Sequence, residues 1–213
     1  MLAALAAVAL GARFDAHHLP AARHEAGAVS WDRKQPGVLA KVDRVDGFKV
    51  RPGHHILLHT TRGDIVLVMF DHDSPKTAGN FEKLVRKGFY NKTPFHRVIE
   101  GFMAQGGDPS GTGEGGPGYT IAFERNRLKH LPGAIAMART SDPNSAGSQF
   151  FIDFASNSQL NETFGPGGPG GYVVFGQVVK GMNVVNHLTR TMTEYGPIPG
   201  ARPDRILSAR VLD

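Results

Sequence analysis

The sequence predicts a mainly β protein, a closed or nearly closed barrel of eight strands with two helices plugging its open ends. Three observations carry this expectation. Gly (27) and Pro (14) make up about a fifth of the 213 residues, against a usual share of roughly 12%, which favours many turns over a helical bundle. From His55 onward, short apolar runs recur between Gly, Pro and Asn. Only two stretches keep helical spacing.

Taken in order, His55 to Thr61 and Asp64 to Phe70 are β-type runs separated by Arg62-Gly63, a hairpin signal. Asp73-Ser74-Pro75 then offers N-cap residues ahead of a proline suited to a first helical turn. Ala78, Phe81, Leu84 and Val85 follow at helical spacing, and Arg86-Lys87-Gly88 ends the helix. Short runs come next: Phe95 to Ile99, Phe102 to Gln105, Tyr119 to Phe123, Gly133 to Ala138, Gln149 to Asp153 and Tyr172 to Val178. A second helix is expected from Met182 to Thr191, where Val184, Val185 and Leu188 share a face. Arg205 to Leu212 reads as the last strand.

Ahead of this unit, residues 1–53 read as an extension to a domain spanning 54–213. Met1 to Leu10 is an Ala-rich apolar run with the length of a signal-peptide core, and Ala9-Leu10-Gly11 offers small residues for cleavage. No basic residue precedes the run, so a cytoplasmic protein is expected, with export the alternative if residues 1–11 act as a signal. No run approaches eighteen apolar residues, so no transmembrane helix is expected. The net charge of +5 is spread along the chain without a basic cluster or a stacking motif of aromatics among Lys and Arg, which argues against nucleic acid as a partner. The absence of Cys excludes disulfides, thiolate metal sites and cysteine nucleophiles.

Two apparent motifs do not survive inspection. Gly111-Thr112-Gly113-Glu114-Gly115-Gly116 matches the GxGxxG pattern, but dinucleotide binding needs a helix to begin there, and Pro117-Gly118 follows instead. His54, His55 and His59 read as ordinary strand histidines, because no carboxylate sits at a matching position. No metal or cofactor is expected.

The informative stretch is Phe95-His96-Arg97-Val98-Ile99 followed by Gly101-Phe102-Met103-Ala104-Gln105-Gly106-Gly107-Asp108. As two strands around a Glu100-Gly101 corner, strand alternation places Arg97 and Gln105 on one face with Phe102 or Met103. An arginine among apolar groups is costly to desolvate without a partner, and Gln105 is a candidate to orient it. The bland alternative is an arginine snorkelling over apolar neighbours.

Together with Met137-Ala138-Arg139, Gly147-Ser148-Gln149-Phe150-Phe151-Ile152 and Val173-Val174-Phe175-Gly176, these segments resemble the cyclophilin family of peptidyl-prolyl cis-trans isomerases. The resemblance runs from about Ile56 to Leu212. It implies an eight-stranded antiparallel closed β-barrel capped by two α-helices, with an active groove on the outer face. It further implies that Arg97 is catalytic, with Gln105 as its orienting partner, and that Phe102, Met103, Phe151 and Leu160 line a proline pocket. Ala138 and the backbone of Arg139 would hold the substrate chain, His96 would lie beside the site, and Tyr172 falls where many relatives have His.

The substrates implied are proline-containing unfolded or flexible polypeptides, turned over without a cofactor by a monomer. The alternative is a cyclophilin-like module that captures proline segments with little turnover. Gln159 stands where eukaryotic relatives carry a pocket-edge Trp that helps bind cyclosporin, so weak cyclosporin binding is expected. Arg139 stands where Asn is common. The Gly/Pro-rich insertion Asn161 to Gly171 lies beside the pocket and is expected to shape which peptides enter.

Overall fold

The computed structural model describes residues 44–45, 47–161 and 171–212. The expected leader, nearly all of the N-terminal extension and most of the 161–171 insertion fall outside the described residues. In chain order the elements are β1 (Arg44–Val45), β2 (Phe48–Lys49), β3 (His55–Thr60), β4 (Gly63–Met69), α1 (Pro75–Arg86), β5 (Arg97–Ile99), β6 (Met103–Gly106), β7 (Ala134–Met137), β8 (Phe150–Asp153), β9 (Val174–Lys180), α2 (Met182–Asn186), β10 (Met192–Thr193), β11 (Gly196–Pro197) and β12 (Ile206–Val211). Short 3-10 turns sit at Pro143–Ser145 and Ser158–Leu160. β1–β2 and β10–β11 are separate two-residue hairpins.

The other eight strands form one antiparallel sheet in the order β12-β3-β4-β9-β7-β8-β6-β5. The expectation of a closed barrel overstates the pairing: the edge strands β5 and β12 share no ladder. They approach through a single bridge, Pro94 to Arg205, and three flanking bonds, Lys92 N–H to Ile206 O (2.6 Å), Ile206 N–H to Thr93 O (2.9 Å) and Phe95 N–H to Asp204 O (2.8 Å). Pro94 has no N–H to donate. The sheet is a curled half-barrel stitched at one corner.

Period-two alternation sends successive side chains to opposite faces, and both faces are buried. The inner face collects Ile56, Leu58, Ile65, Leu67, Met69, Ile135, Phe150, Ile152 and Phe175. α1 adds Ala78, Phe81, Leu84 and Val85 to this cluster, and the α2 segment adds Val185 and Leu188, so the helices do close the inner core. Each fully buried aromatic or aliphatic side chain contributes about 1.5–3 kcal/mol. The outer face collects Val66, Val68, Phe70, Met103, Ala134, Ala136, Ala138, Phe151, Leu160, Tyr172 and Val174, joined by Val50 from ahead of β3.

Three local expectations are corrected. Tyr119 to Phe123 is not a strand; it runs extended with Ile121 N–H on Ala146 O (2.8 Å) and Phe123 N–H on the Asn144 side chain (2.9 Å), which leaves no ladder to join. α2 ends at Asn186, five residues before the expected Thr191. There the backbone tightens, with Leu188 N–H bonding Val185 O, and Thr191 N–H is taken by Val98 O of β5. The α1 cap also differs. The buried Ser74 hydroxyl donates to Val174 O of β9 (2.8 Å), while the Glu124 carboxylate, distant in sequence, accepts from Lys76 N–H and Thr77 N–H, an anion suited to a helix N-terminus.

Candidate active site

The outer faces of β5, β6 and β8 lie side by side. Register places Arg97 opposite Gln105, Gln105 opposite Phe151 and Met103 opposite Asp153, so a cation, an amide and an aromatic ring form one row across three strands. Phe102 stands at the corner between β5 and β6. The Arg97 guanidinium is half-buried, with its carbon 6.0 Å from the Phe102 ring centroid and Nη1 4.0 Å from Met103 Sδ. Burial lowers its pKa, with the Tyr172 phenol acting the other way; a guanidinium keeps its charge regardless.

Met103, Phe151, Leu160 and Tyr172 are buried in the outer cluster and Phe102 packs against it, so the expected pocket residues do come together. Phe151 meets the Tyr172 ring edge-on at 5.6 Å. Ala138 is buried in the same cluster. His96 flanks Arg97 with both ring nitrogens buried and, among the described residues, no well-formed hydrogen bond to either. Burial lowers its pKa, the nearby Asp108 opposes this and Arg97 reinforces it.

Two expected roles look different in three dimensions. Gln105 does not bond Arg97: its Nε2 donates to Gln149 Oε1 (2.9 Å), and its buried Oε1 has no partner among the described residues. Arg139 was expected to act through its backbone, yet its side chain is buried and organised. Nε and Nη2 donate to Gly171 O (3.0 and 2.6 Å), Nη1 donates to Thr140 O (2.9 Å), and the guanidinium lies 5.2 Å from the Tyr172 ring centroid and 5.9 Å from that of Phe123. Arg139 therefore fixes the C-terminal end of the insertion against the sheet. Gln159 is exposed, its amide pointing back to Asn157 Oδ1 at 3.4 Å.

The glycine-rich stretch after β6 wraps a carboxylate. Asp108 is fully buried and accepts from Ser110 N–H and hydroxyl (both 2.7 Å) and from Gly113 N–H (2.6 Å). Burial alone would raise its pKa, but these bonds and that of Gly115 win and hold it at about 2. Gln149 Nε2 ties the same loop down through Gly113 O and Gly115 O (both 2.9 Å). No helix starts there, as the sequence implied.

The strand histidines need one correction. His54 does meet carboxylates, since its Nδ1 lies 2.9 Å from Asp71 Oδ2 and 3.3 Å from Glu82 Oε2. The three donor atoms lie within 4.8 Å of one another and could in principle hold a cation. Protein donors already engage one oxygen of each carboxylate: His54 N–H bonds Asp71 Oδ2 (2.9 Å) and Arg86 Nε bonds Glu82 Oε1 (2.8 Å). The pairing was invisible in sequence because Asp71 and Glu82 reach His54 from the far end of β4 and from α1.

Sequence reasoning also missed His130, Asp153 and Asn157 behind the pocket. A signal was present for one of them. Asp153 is two residues from Phe151, so it shares the outer face, and a carboxylate ending an otherwise apolar strand needs a partner.

The model of the cyclophilin type peptidyl-prolyl cis-trans isomerase family matches residues 55–211. The chain belongs to the cyclophilin family. A peptidyl-prolyl cis-trans isomerase A from Dickeya dadantii is 41% identical over 174 residues, covering 78% of this chain and 88% of the relative. Peptidyl-prolyl cis-trans isomerase B of Escherichia coli is 44% identical over 140 residues, 65% of this chain and 85% of the relative. A cyclophilin-type isomerase from Cryptosporidium parvum, solved in the presence of the dipeptide Ala-Pro, superposes with a TM-score of 0.63 at 33% identity, covering 75% of this chain and 99% of its own. As in these cyclophilins, the activity is cis-trans isomerisation of peptidyl-prolyl bonds.

Proposed function

We propose that this cyclophilin isomerises X–Pro bonds in unfolded or flexible polypeptides, with Arg97 as the catalytic residue and the Phe102, Met103, Phe151 and Leu160 surface as the seat of the proline ring. The observation that carries this is a half-buried guanidinium at the rim of an apolar cluster, with no carboxylate bonded to it among the described residues.

An X–Pro amide resists rotation by ~18–20 kcal/mol because nitrogen shares its lone pair with the carbonyl. In the twisted transition state that pair is localised on nitrogen and accepts a hydrogen bond that the planar ground state cannot. A guanidinium aimed there binds the transition state selectively and so raises the rate. An acceleration of 10⁵ needs roughly 7 kcal/mol. One charge-assisted donor in a partly dry groove supplies about half, and orienting and desolvating the amide supplies the rest, while the pocket's grip on the pyrrolidine ring serves ground state and transition state alike. The Cryptosporidium relative was solved with a dipeptide of the class proposed here.

The proposal includes action as a monomer, with no nucleic-acid or membrane partner. A protease-coupled proline-peptide assay tests it: the wild type accelerates isomerisation, and Arg97→Ala does so with a kcat/KM about 10²–10³ lower. Equal acceleration by both proteins overturns the role of Arg97. Because the exposed Gln159 amide cannot supply an indole edge to the pocket, cyclosporin inhibits weakly, at micromolar concentrations or above. Nanomolar inhibition in the same assay overturns that reading.

A further inference from the structure

Behind the pocket lies a titratable pair that the mechanism above does not use. His130 and Asp153 have fully buried side chains, joined Nδ1 to Oδ2 at 2.9 Å. His130 Nε2 lies 3.2 Å from Tyr172 O. Asp153 Oδ1 accepts from Asn157 Nδ2 (2.7 Å), and the same amide nitrogen donates to Phe102 O (3.0 Å).

The proton count follows from these partners. A backbone carbonyl only accepts, so Nε2 carries a hydrogen. Nδ1 then either donates to a carboxylate or accepts from a carboxylic acid, and in both arrangements one proton lies between Nδ1 and Oδ2 and the pair is neutral overall. Without that proton, two lone pairs would face each other in a site with no access to water. Burial raises the Asp153 pKa, opposed by the bonds from His130 and Asn157.

Every wall of the pocket rests on this network. The His130 ring stacks on Phe151, centroids 5.6 Å apart and planes 12° apart. Asp153 is the ladder partner of Met103. Asn157 holds the Phe102 carbonyl, His130 holds that of Tyr172, and Tyr172 N–H bonds Leu160 O (3.2 Å). Asn157 N–H closes the ring on His130 O (2.9 Å).

We propose that His130 and Asp153 are positioning residues, a buried pair sharing one proton that sets the spacing of the walls gripping the proline ring. The inference rests on the pocket assignment above and deepens it. The pair touches no substrate and stabilises no transition-state charge, so its loss weakens ground-state and transition-state binding alike and appears in KM rather than in kcat.

The substitution Asp153→Asn separates hydrogen bonding from charge. An amide can donate through Nδ2 to Nδ1 of a neutral His130 and accept from Asn157 through Oδ1, so every bond is retained without the shared proton. Asp153→Ala removes both bonds. In the peptide assay with the full chain, Asp153→Ala raises KM about tenfold, the equivalent of roughly one hydrogen bond, with kcat within about twofold. Asp153→Asn returns KM to the wild-type value. Ring ¹⁵N NMR shows Nε2 protonated in both the wild type and Asp153→Asn.

A wild-type KM in Asp153→Ala overturns the inference, as does an Asp153→Asn variant as impaired as Asp153→Ala, or a His130 protonated only at Nδ1. If Asp153→Ala does not fold, Asn157→Ala decides: it removes the anchors on Asp153 and on the Phe102 carbonyl together with the long contact from the exposed Gln159, and an unchanged KM is then the overturning result. A purely structural role would lower the melting temperature and leave the KM of folded molecules untouched. Failure of the pocket assignment is distinguishable, because the wild type itself would then show no saturable turnover of proline peptides.

Discussion

The two faces of the sheet are made by the same strands through alternate residues, and they are built from different chemistry. The inner face is aromatic and aliphatic: Phe81, Tyr90, Phe95, Phe150 and Phe175 meet mostly edge-on or tilted at centroid distances of 4.7–6.3 Å, and the Tyr90 hydroxyl is satisfied by Ser148 O. The outer face mixes Ala134, Ala136, Ala138 and Phe151 with Arg97, Gln105 and Asp153. Apolar packing tolerates substitution of similar volume, whereas a buried polar group is stable only with partners in the right directions. The inner face therefore fixes the fold, and the outer face, carrying the harder constraints, fixes the groove.

The largest effect that would break this division is at Phe150. Phe150→Ala loses its edge-on contacts with Phe81 and Tyr90, and denaturant unfolding is expected to show a loss of about 3–5 kcal/mol, while folded molecules keep their kcat/KM. A drop in the activity of folded protein would erase the distinction between faces. Arg97→Ala is the reverse case. It lowers kcat/KM by about 10²–10³ with little change in the unfolding midpoint, and Arg97→Lys recovers only a small part because an ammonium lacks the planar fork.

Asp108 sharpens the comparison most gently. Its carboxyl lies at about 2, below the ordinary 3.8, so its contribution to stability is complete above the ordinary value and is lost as the pH falls from about 4 through about 2. Urea titrations across that window should show about 2 kcal/mol disappearing from the wild type, and a flatter profile in Asp108→Asn.

Much of this was legible in the sequence. The β3–β4 pair announced itself through two β-type runs around Arg62-Gly63, although the continuous apolar run Ile65 to Phe70 does not say which residues face inward, and α1 through the spacing of Ala78, Phe81, Leu84 and Val85. Strand runs were placed within a residue or two, except Tyr119 to Phe123, which has strand-like composition but meets no free sheet edge. α2 was overdrawn because Leu188 keeps the helical face after the helix has ended. In the site, the motifs brought Arg97, Phe102, Met103, Phe151 and Leu160 together as expected. Gln105 pairing with Gln149, the Arg139 clamp on Gly171 and the His130–Asp153 pair were not legible, because each joins segments whose meeting depends on the fold.

The last ladder of the sheet has a topological consequence. β12 runs along β3 so that Val211 faces Ile56, and Leu212 N–H reaches His55 O at 2.8 Å. The chain therefore enters and leaves this folded unit at neighbouring points, and β3 and β12 amount to a hairpin from which the loop has been omitted. Such a unit behaves as a cassette: it can be spliced into a surface loop of another protein, or its ends joined into a ring, without either terminus having to cross the groove.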